Sequence, residues 1–268
     1  MVKKRFLVPN LFTGMNFLLG IYAILIMAES LIPSKESLPI LGSGKPPLVL
    51  AAWILMWCVL LDKLDGFAAR LLKASSEFGA QFDSLADLTA FGIAPGFLVY
   101  FYMQAEDLVW FTAHRPMMLA SVSVYMICTA LRLARFNAID SGELKGYFHG
   151  LPSTFAGGFV AVSVILHSKY GLTLEQFHGI PILPLILILA GLLMVSPLYL
   201  PKLVRRKNRT FNFIQICAVF VGYLCGFGMV FPELLFGLCL IYAGVGFIHG
   251  FVQKEKIEGM LVSKPDDE

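Results

Sequence analysis

Four aspartates, Asp62, Asp65, Asp83 and Asp87, fall within the stretch Leu61 to Ala90 of a chain that is otherwise apolar. Their pattern is D-x2-D-G-x2-A-R-x8-G-x3-D-x3-D. Carboxylates beside long apolar runs are costly to place unless something pairs with them. On a helical wheel Asp62, Asp65, Gly66 and Ala69 share one arc of about 100°, with Arg70 just beside it. Asp83 and Asp87 are four residues apart and stack on one face of a second helix. Ala80, Ala90 and Ala94 extend that face with small side chains. Two helices can then approach closely, each turning two carboxylates into the gap. Four such groups repel one another unless cations lie among them. Oxygen-only donors suit hard divalent ions such as Mg²⁺ or Mn²⁺, and the number of oxygens suits two of them about 4 Å apart. Gly66, Ala69 and Gly79 offer bare backbone against which a ligand can lie. Arg70 offers a planar fork for phosphate oxygens. Acid cluster, metals and arginine together point to phosphoryl chemistry. No P-loop is present, so a nucleotide-hydrolysing engine lacks its cradle. The competing reading is a cation transporter, because intramembrane acids also mark ion routes. Against it, the cluster lies near one membrane face, whereas transporter sites lie near the midplane.

The elements that hold these groups are membrane helices. The chain has 268 residues, 57% hydrophobic and 15% charged, with mean hydropathy +0.75. Soluble domains carry about 25% charged residues, so a polytopic integral membrane protein of all-α class is expected. The apolar runs are Leu11–Ala28, Leu48–Leu61 leading into the aspartates, Asp83–Met103, Met117–Phe136, Leu151–His167, Pro181–Leu200, Phe211–Val230 and Leu234–Val252. They make about eight transmembrane helices. The first run is about 18 residues, long enough to span rather than serve as a signal peptide. It carries Asn10, Thr13 and Asn16 on one side. Ala74–Glu77 reads as a turn, and Glu106–Pro116 and Asn137–Gly150 as polar loops. Cys58, Cys128, Cys217, Cys225 and Cys239 lie in apolar runs without a C-x-x-C spacing, so they read as small core residues.

The basic residues set the orientation. Seventeen of the 21 lysines and arginines fall on one side of this arrangement, and Lys35, Lys45, Arg115 and Lys169 on the other. The positive-inside rule then places both termini and the aspartate cluster in the cytoplasm, with the chain in the cytoplasmic (inner) membrane. The basic loop Lys202–Arg209 reads as part of the same signal. Residues 253–268 form a charged tail.

The pattern from Asp62 to Asp87 resembles the signature of the CDP-alcohol phosphotransferase family, integral membrane enzymes of phospholipid synthesis. All eight specified positions match at fixed spacing. The resemblance implies a six-helix core, here residues 1–200, followed by two additional helices in 201–252. It implies a homodimer and a reaction in which a substituted phosphoryl group passes from a CDP-linked donor to a hydroxyl, releasing CMP. By similarity, Asp62, Asp65, Asp83 and Asp87 ligate two divalent cations, Asp87 is the general base, and Asp83 shares the catalytic role. Gly66, Ala69, Arg70 and Gly79, with Asp62, line the CDP pocket by the same similarity; Asn10 and Thr13 on the first helix are candidates to reach the nucleotide or the metals, or else cap and hydrogen-bond between helices. The segments PNLFTGMNFLLG, LRLARFN and FHGLPST further resemble the bacterial and archaeal branch that uses serine. That branch implies CDP-diacylglycerol and L-serine as substrates, membrane lipid as surroundings, and no nucleic-acid partner. Sister enzymes using glycerol 3-phosphate or inositol phosphate remain the nearest alternative. L-Serine carries a carboxylate, which arginine meets well, and Arg132, Arg135 and Asn137 are the candidates for it. Thr154 departs from the pattern, standing where many such enzymes have proline, and is expected to affect a helix start more than chemistry.

Overall fold

A computed structural model of the chain describes residues 7–30, 47–72, 76–140, 146–171, 173–174, 180–202 and 209–254. Among the described residues ten α-helices carry the fold: α1 (Leu7–Glu29), α2 (Pro47–Leu71), α3 (Glu77–Asp87), α4 (Ala94–Glu106), α5 (Leu108–Ala113), α6 (Arg115–Arg135), α7 (Ser153–Tyr170), α8 (Ile182–Val195), α9 (Arg209–Gly228) and α10 (Pro232–Val252). A π-helical stretch, Leu88–Ile93, joins α3 to α4 without a break, and a second, Phe136–Asp140, extends α6. Four short strands make two ribbons. β1 (Tyr147–His149) pairs antiparallel with β4 (Tyr199–Pro201), and β2 (Thr173–Leu174) with β3 (Ile180–Pro181).

The all-α membrane class holds. Among the described residues five helical segments are long and apolar enough to cross a bilayer: Val8–Glu29, Pro47–Phe67, Glu77–Glu106, Arg115–Ala138 and Pro232–Val252. Two more, Ile182–Val195 and Asn212–Gly228, are apolar but shorter. A further helix, α7, is largely buried among the others. Its buried residues include Ala156, Gly157, Val160, Ala161 and Val164, and it packs against α2, α4, α8 and α10.

The first helix shows how small and polar residues are turned inward among the apolar core. On α1, Thr13, Asn16, Gly20, Ala23 and Met27 are buried at spacings of three and four, while Leu11, Leu18, Tyr22 and Leu25 are exposed. That is the pattern of a helix in lipid, where association depends on close packing between small residues. Gly20 faces Ala90, and a Cβ on Gly157 would lie 3.0 Å from Phe91, so α1 and α7 both press closely on the π-helical stretch.

Several boundaries differ from the sequence expectation. The third rod begins at Glu77, six residues before Asp83, because Ser76 caps it: the Gly79 amide donates to Ser76 Oγ at 3.0 Å. Glu77 is therefore helical and not part of a turn. The expected loop Glu106–Pro116 contains α5, started by Asp107, whose side chain accepts from the Trp110 amide at 2.9 Å. The expected loop Asn137–Gly150 includes helical residues at its start and β1 at its end. The sixth apolar run does not stay helical to Leu200. It stops at Val195, where Pro197 disfavours helical backbone at the residue before it, and its end becomes β4. The basic residues Lys3, Lys4, Arg5 and Arg205–Lys207 and most of the charged tail lie outside the described residues.

Candidate active site

α2 and the end of α3 bring three of the carboxylates together, while α3 itself packs chiefly against α1. Asp62, Asp83 and Asp87 each place a ligand oxygen so that all lie within 4.8 Å of one another. Asp87 is buried at 7% exposure and Asp65 at 5%. Oδ1 of Asp83 and Oδ1 of Asp87 have no hydrogen-bond partner among the described residues. Buried carboxylate oxygens without donors are expensive unless a cation meets them. Three hard-oxygen ligands around a gap with two unsatisfied oxygens fit a divalent metal ion.

The four carboxylates are not equivalent. Oδ2 of Asp62 accepts from Lys63 Nζ at 2.8 Å and from Thr154 Oγ1 at 3.2 Å. Asp65 lies outside the close trio, and its Oδ2 accepts from Thr13 Oγ1 at 3.3 Å. Thr13 is thereby placed on an aspartate as well as on its own helix, where its hydroxyl is 3.2 Å from Pro9 O. Asn10 reaches Gly79 of α3: its Oδ1 would be 3.2 Å from a Cβ there. Gly66 sits half-buried one residue after Asp65. Ala69 and Arg70 lie on the last turns of α2, but their side chains fall outside the described residues.

Asp87 ends α3, and the backbone widens immediately afterwards into the Leu88–Ile93 π-helix. Such widened turns disturb the regular hydrogen-bond ladder and occur often at functional sites. Here Tyr125 Oη donates to Phe91 O at 2.7 Å, tying the stretch to α6. Arg132 lies two turns further along the same helix.

The two arginines of LRLARFN do different things. Arg132 is buried at 9% exposure, donates from Nη1 to Ser153 Oγ at 2.9 Å, and stacks over the Phe136 ring at 5.2 Å. Arg135 donates to three backbone carbonyls: His149 O at 2.9 Å and Met194 O at 3.3 Å through Nη2, and Val195 O at 3.4 Å through Nη1. It therefore closes the C-terminal end of α8 and holds β1 beside it. Asn137 Nδ2 donates to Ser84 Oγ at 2.8 Å, linking the end of α6 to the residue after Asp83.

Sequence reasoning missed Thr154 and Lys63 as partners of Asp62. Thr154 was expected to matter for a helix start, and Lys63 counted only as a topology charge. A hydroxyl just inside a helix start beside Ser153 carries no local signal that it will meet an aspartate 92 residues away.

Comparison with known proteins then gives the family. The model of the CDP-alcohol phosphatidyltransferase domain matches residues 6–197. The chain belongs to the CDP-alcohol phosphatidyltransferase family. The matched segment of this phosphatidyltransferase runs from the start of α1 past the end of α8 and contains the whole aspartate pattern. The chain is 32% identical over 251 residues to a CDP-diacylglycerol–serine O-phosphatidyltransferase of Helicobacter pylori, covering 92% of this chain and 93% of that protein. It is 29% identical over 250 residues to one of Methanocaldococcus jannaschii, covering 92% and 96%. It is 40% identical over 97 residues to one of Bacillus subtilis, covering 36% of this chain and 50% of that one. The two long alignments extend into the C-terminal helices, beyond the family segment. Members of this family use divalent metals, in keeping with the acidic cluster.

Proposed function

We propose that this phosphatidyltransferase moves the phosphatidyl group of CDP-diacylglycerol to the hydroxyl of L-serine, releasing CMP. The observation that carries the chemistry is the convergence of Asp62, Asp83 and Asp87 within 4.8 Å, with two buried oxygens lacking donors. The serine-using relatives support the choice of acceptor.

Asp62, Asp65, Asp83 and Asp87 would hold two divalent cations, Mg²⁺ or Mn²⁺, which neutralise the pyrophosphate and the charge that builds on departing CMP. Asp65 would join through a carboxylate held by Thr13. Asn10, Thr13, Gly66, Ala69, Arg70 and Gly79 would surround the cytidine and phosphates. Asp87 takes the proton from the serine hydroxyl as that oxygen attacks the phosphorus bearing the diacylglycerol. The new P–O bond forms as the bond to CMP breaks, and CMP leaves with the electron pair. Burial keeps water away from Asp87 and strengthens each charge interaction.

Arg132 is our choice for the serine carboxylate, because it is buried and donates to Ser153, the residue before the Thr154 that meets Asp62. Arg135 and Asn137 we assign to holding that neighbourhood in shape through their bonds to α8, β1 and Ser84. Arg132→Lys is expected to raise the KM for serine roughly tenfold or more, since the planar fork is lost, with little change in the KM for CDP-diacylglycerol. Arg135→Lys should instead lower thermal stability in detergent. A serine KM unmoved by Arg132→Lys would remove it from the acceptor site.

The deciding assay uses purified protein, CDP-diacylglycerol and Mg²⁺ or Mn²⁺. CMP release that depends on serine supports the reading. Release with glycerol 3-phosphate or inositol phosphate in its place moves the protein to a sister activity, and metal flux in liposomes without CMP release moves it to a transporter. We place the chain in the cytoplasmic membrane as a homodimer, with both termini and the site on the cytoplasmic side. The distribution of basic residues supports the orientation.

A further inference from the structure

The last helix lies outside the family segment, yet it carries part of the machinery's support. Four residues on one side of α10 meet the β1–β4 ribbon. Tyr242 Oη donates to Pro201 O at 3.0 Å. A Cβ on Gly246 would be 2.6 Å from Leu200 Cδ1, and one on Gly250 only 1.7 Å from Tyr199 O, so the ribbon's backbone lies directly on the helix. The His249 ring lies nearly parallel to that of Tyr147, with centroids 6.2 Å apart. These contacts cover both strands.

The ribbon in turn leads into the site. β4 pairs with β1 in the register Tyr147–Pro201, Phe148–Leu200 and His149–Tyr199. After β1 the chain passes Gly150 and Leu151, whose amides donate to Leu198 O at 2.7 Å and Leu193 O at 3.0 Å. It then enters α7 at Ser153 and Thr154. Ser153 accepts from Arg132, and Thr154 donates to Asp62. Thr154 is buried at 6% exposure, so its hydroxyl is not exchanged freely with water.

We propose that α10 is a positioning element of the active site: it seats the β1–β4 ribbon, the ribbon fixes the start of α7, and the Thr154 hydroxyl so placed orients the Asp62 carboxylate for metal binding. This rests on the reading of Asp62 as a metal ligand. A carboxylate can turn about its side-chain bonds, and a buried hydrogen bond to one oxygen restricts that turning. Groups that hydrogen-bond a metal ligand commonly change metal affinity by about 10–100-fold when removed. The α10 contacts thereby give the C-terminal helices a part in the chemistry without touching substrate.

The test measures Mn²⁺ binding to the purified full chain in detergent, without lipid substrate, by electron paramagnetic resonance. Thr154→Val keeps the shape and removes the hydroxyl, and is expected to weaken Mn²⁺ binding roughly tenfold, with Thr154→Ser restoring it to within about twofold. In turnover assays the Thr154→Val loss should appear in the KM for Mn²⁺ more than in kcat. Tyr242→Phe removes one α10–ribbon bond with little risk to folding. It should weaken Mn²⁺ binding measurably when Thr154 is intact and have no further effect in the Thr154→Val background. Unchanged Mn²⁺ binding in Thr154→Val, or a Tyr242→Phe effect that is absent or equal in both backgrounds, overturns the proposal while serine-dependent CMP release by the unaltered protein stands. Failure of the unaltered protein to bind Mn²⁺ overturns both.

Discussion

Asp87→Asn is expected to lower serine-dependent CMP release by about a thousandfold or more. The substitution keeps the size of a side chain that is 7% exposed and closely packed at the end of α3. It removes the only feature an amide lacks, the capacity to take a proton and carry a negative charge. Positioned proton transfer contributes about 10²–10⁴-fold, and loss of a metal ligand adds to it. Binding of the CDP group should persist, because its proposed contacts come from α1, α2 and Gly79. Single-turnover CMP release gives the first quantity and calorimetric titration with CMP the second. Turnover near that of the unaltered protein would end the role of Asp87 as base. Loss of CMP binding in parallel with turnover would instead make Asp87 chiefly a binding group.

Gly150→Ala is expected to lower stability strongly. Gly150 has φ +69°, a left-handed conformation that costs an alanine about 1–2 kcal/mol. The methyl would also lie 2.4 Å from Met194 O and 2.8 Å from Leu193 O. Both carbonyls are already engaged, Met194 O by Arg135 and Leu193 O by the Leu151 amide. Neither can retreat without breaking a bond, so overpacking of about 1–3 kcal/mol adds to the strain. A total of about 3 kcal/mol is a large fraction of a typical folding free energy of about 5–15 kcal/mol. Thermal unfolding in detergent measures it. Turnover should fall too, because Ser153 and Thr154 follow only three and four residues later. An unfolding midpoint equal to that of the unaltered protein would show that α8 and the β1–α7 connection can part without cost.

Much of this was legible in the sequence because lipid and charge leave strong marks. The apolar runs gave the rods, and helical spacing alone put each of the pairs Asp62/Asp65 and Asp83/Asp87 on one side of its helix, although only Asp62 joins Asp83 and Asp87 in the close trio. Local rules also reach Ser76 and Pro197, although the one was passed over as a turn and the other as helix interior. What stayed hidden depends on contacts between distant residues. Nothing near Arg135 in sequence indicates that its guanidinium will meet His149, Met194 and Val195 carbonyls, and a free arginine beside a serine site was the natural expectation. Asp65 and Asp62 read as equals on the wheel, yet Thr13 takes one and Thr154 the other. The ribbon was invisible because two- and three-residue strands have no periodicity to detect.

The widened turn at Leu88–Ile93 has a consequence for how the rod tolerates change. Each residue of an α-helix advances the angle by about 100°, so the segment between Asp87 and Ala94 works as an angular coupling between two halves of one rod. The half before it packs on α1 and carries Asp83 and Asp87 to Asp62. The half after it is indexed to neighbours that include α6 and α7. Gly20, Gly157 and Tyr125 lock the coupling from three sides. Substitutions there alter packing, whereas a gain or loss of one residue turns one half against the other and swings Asp83 and Asp87 away from Asp62. Length in this segment is therefore held more tightly than composition.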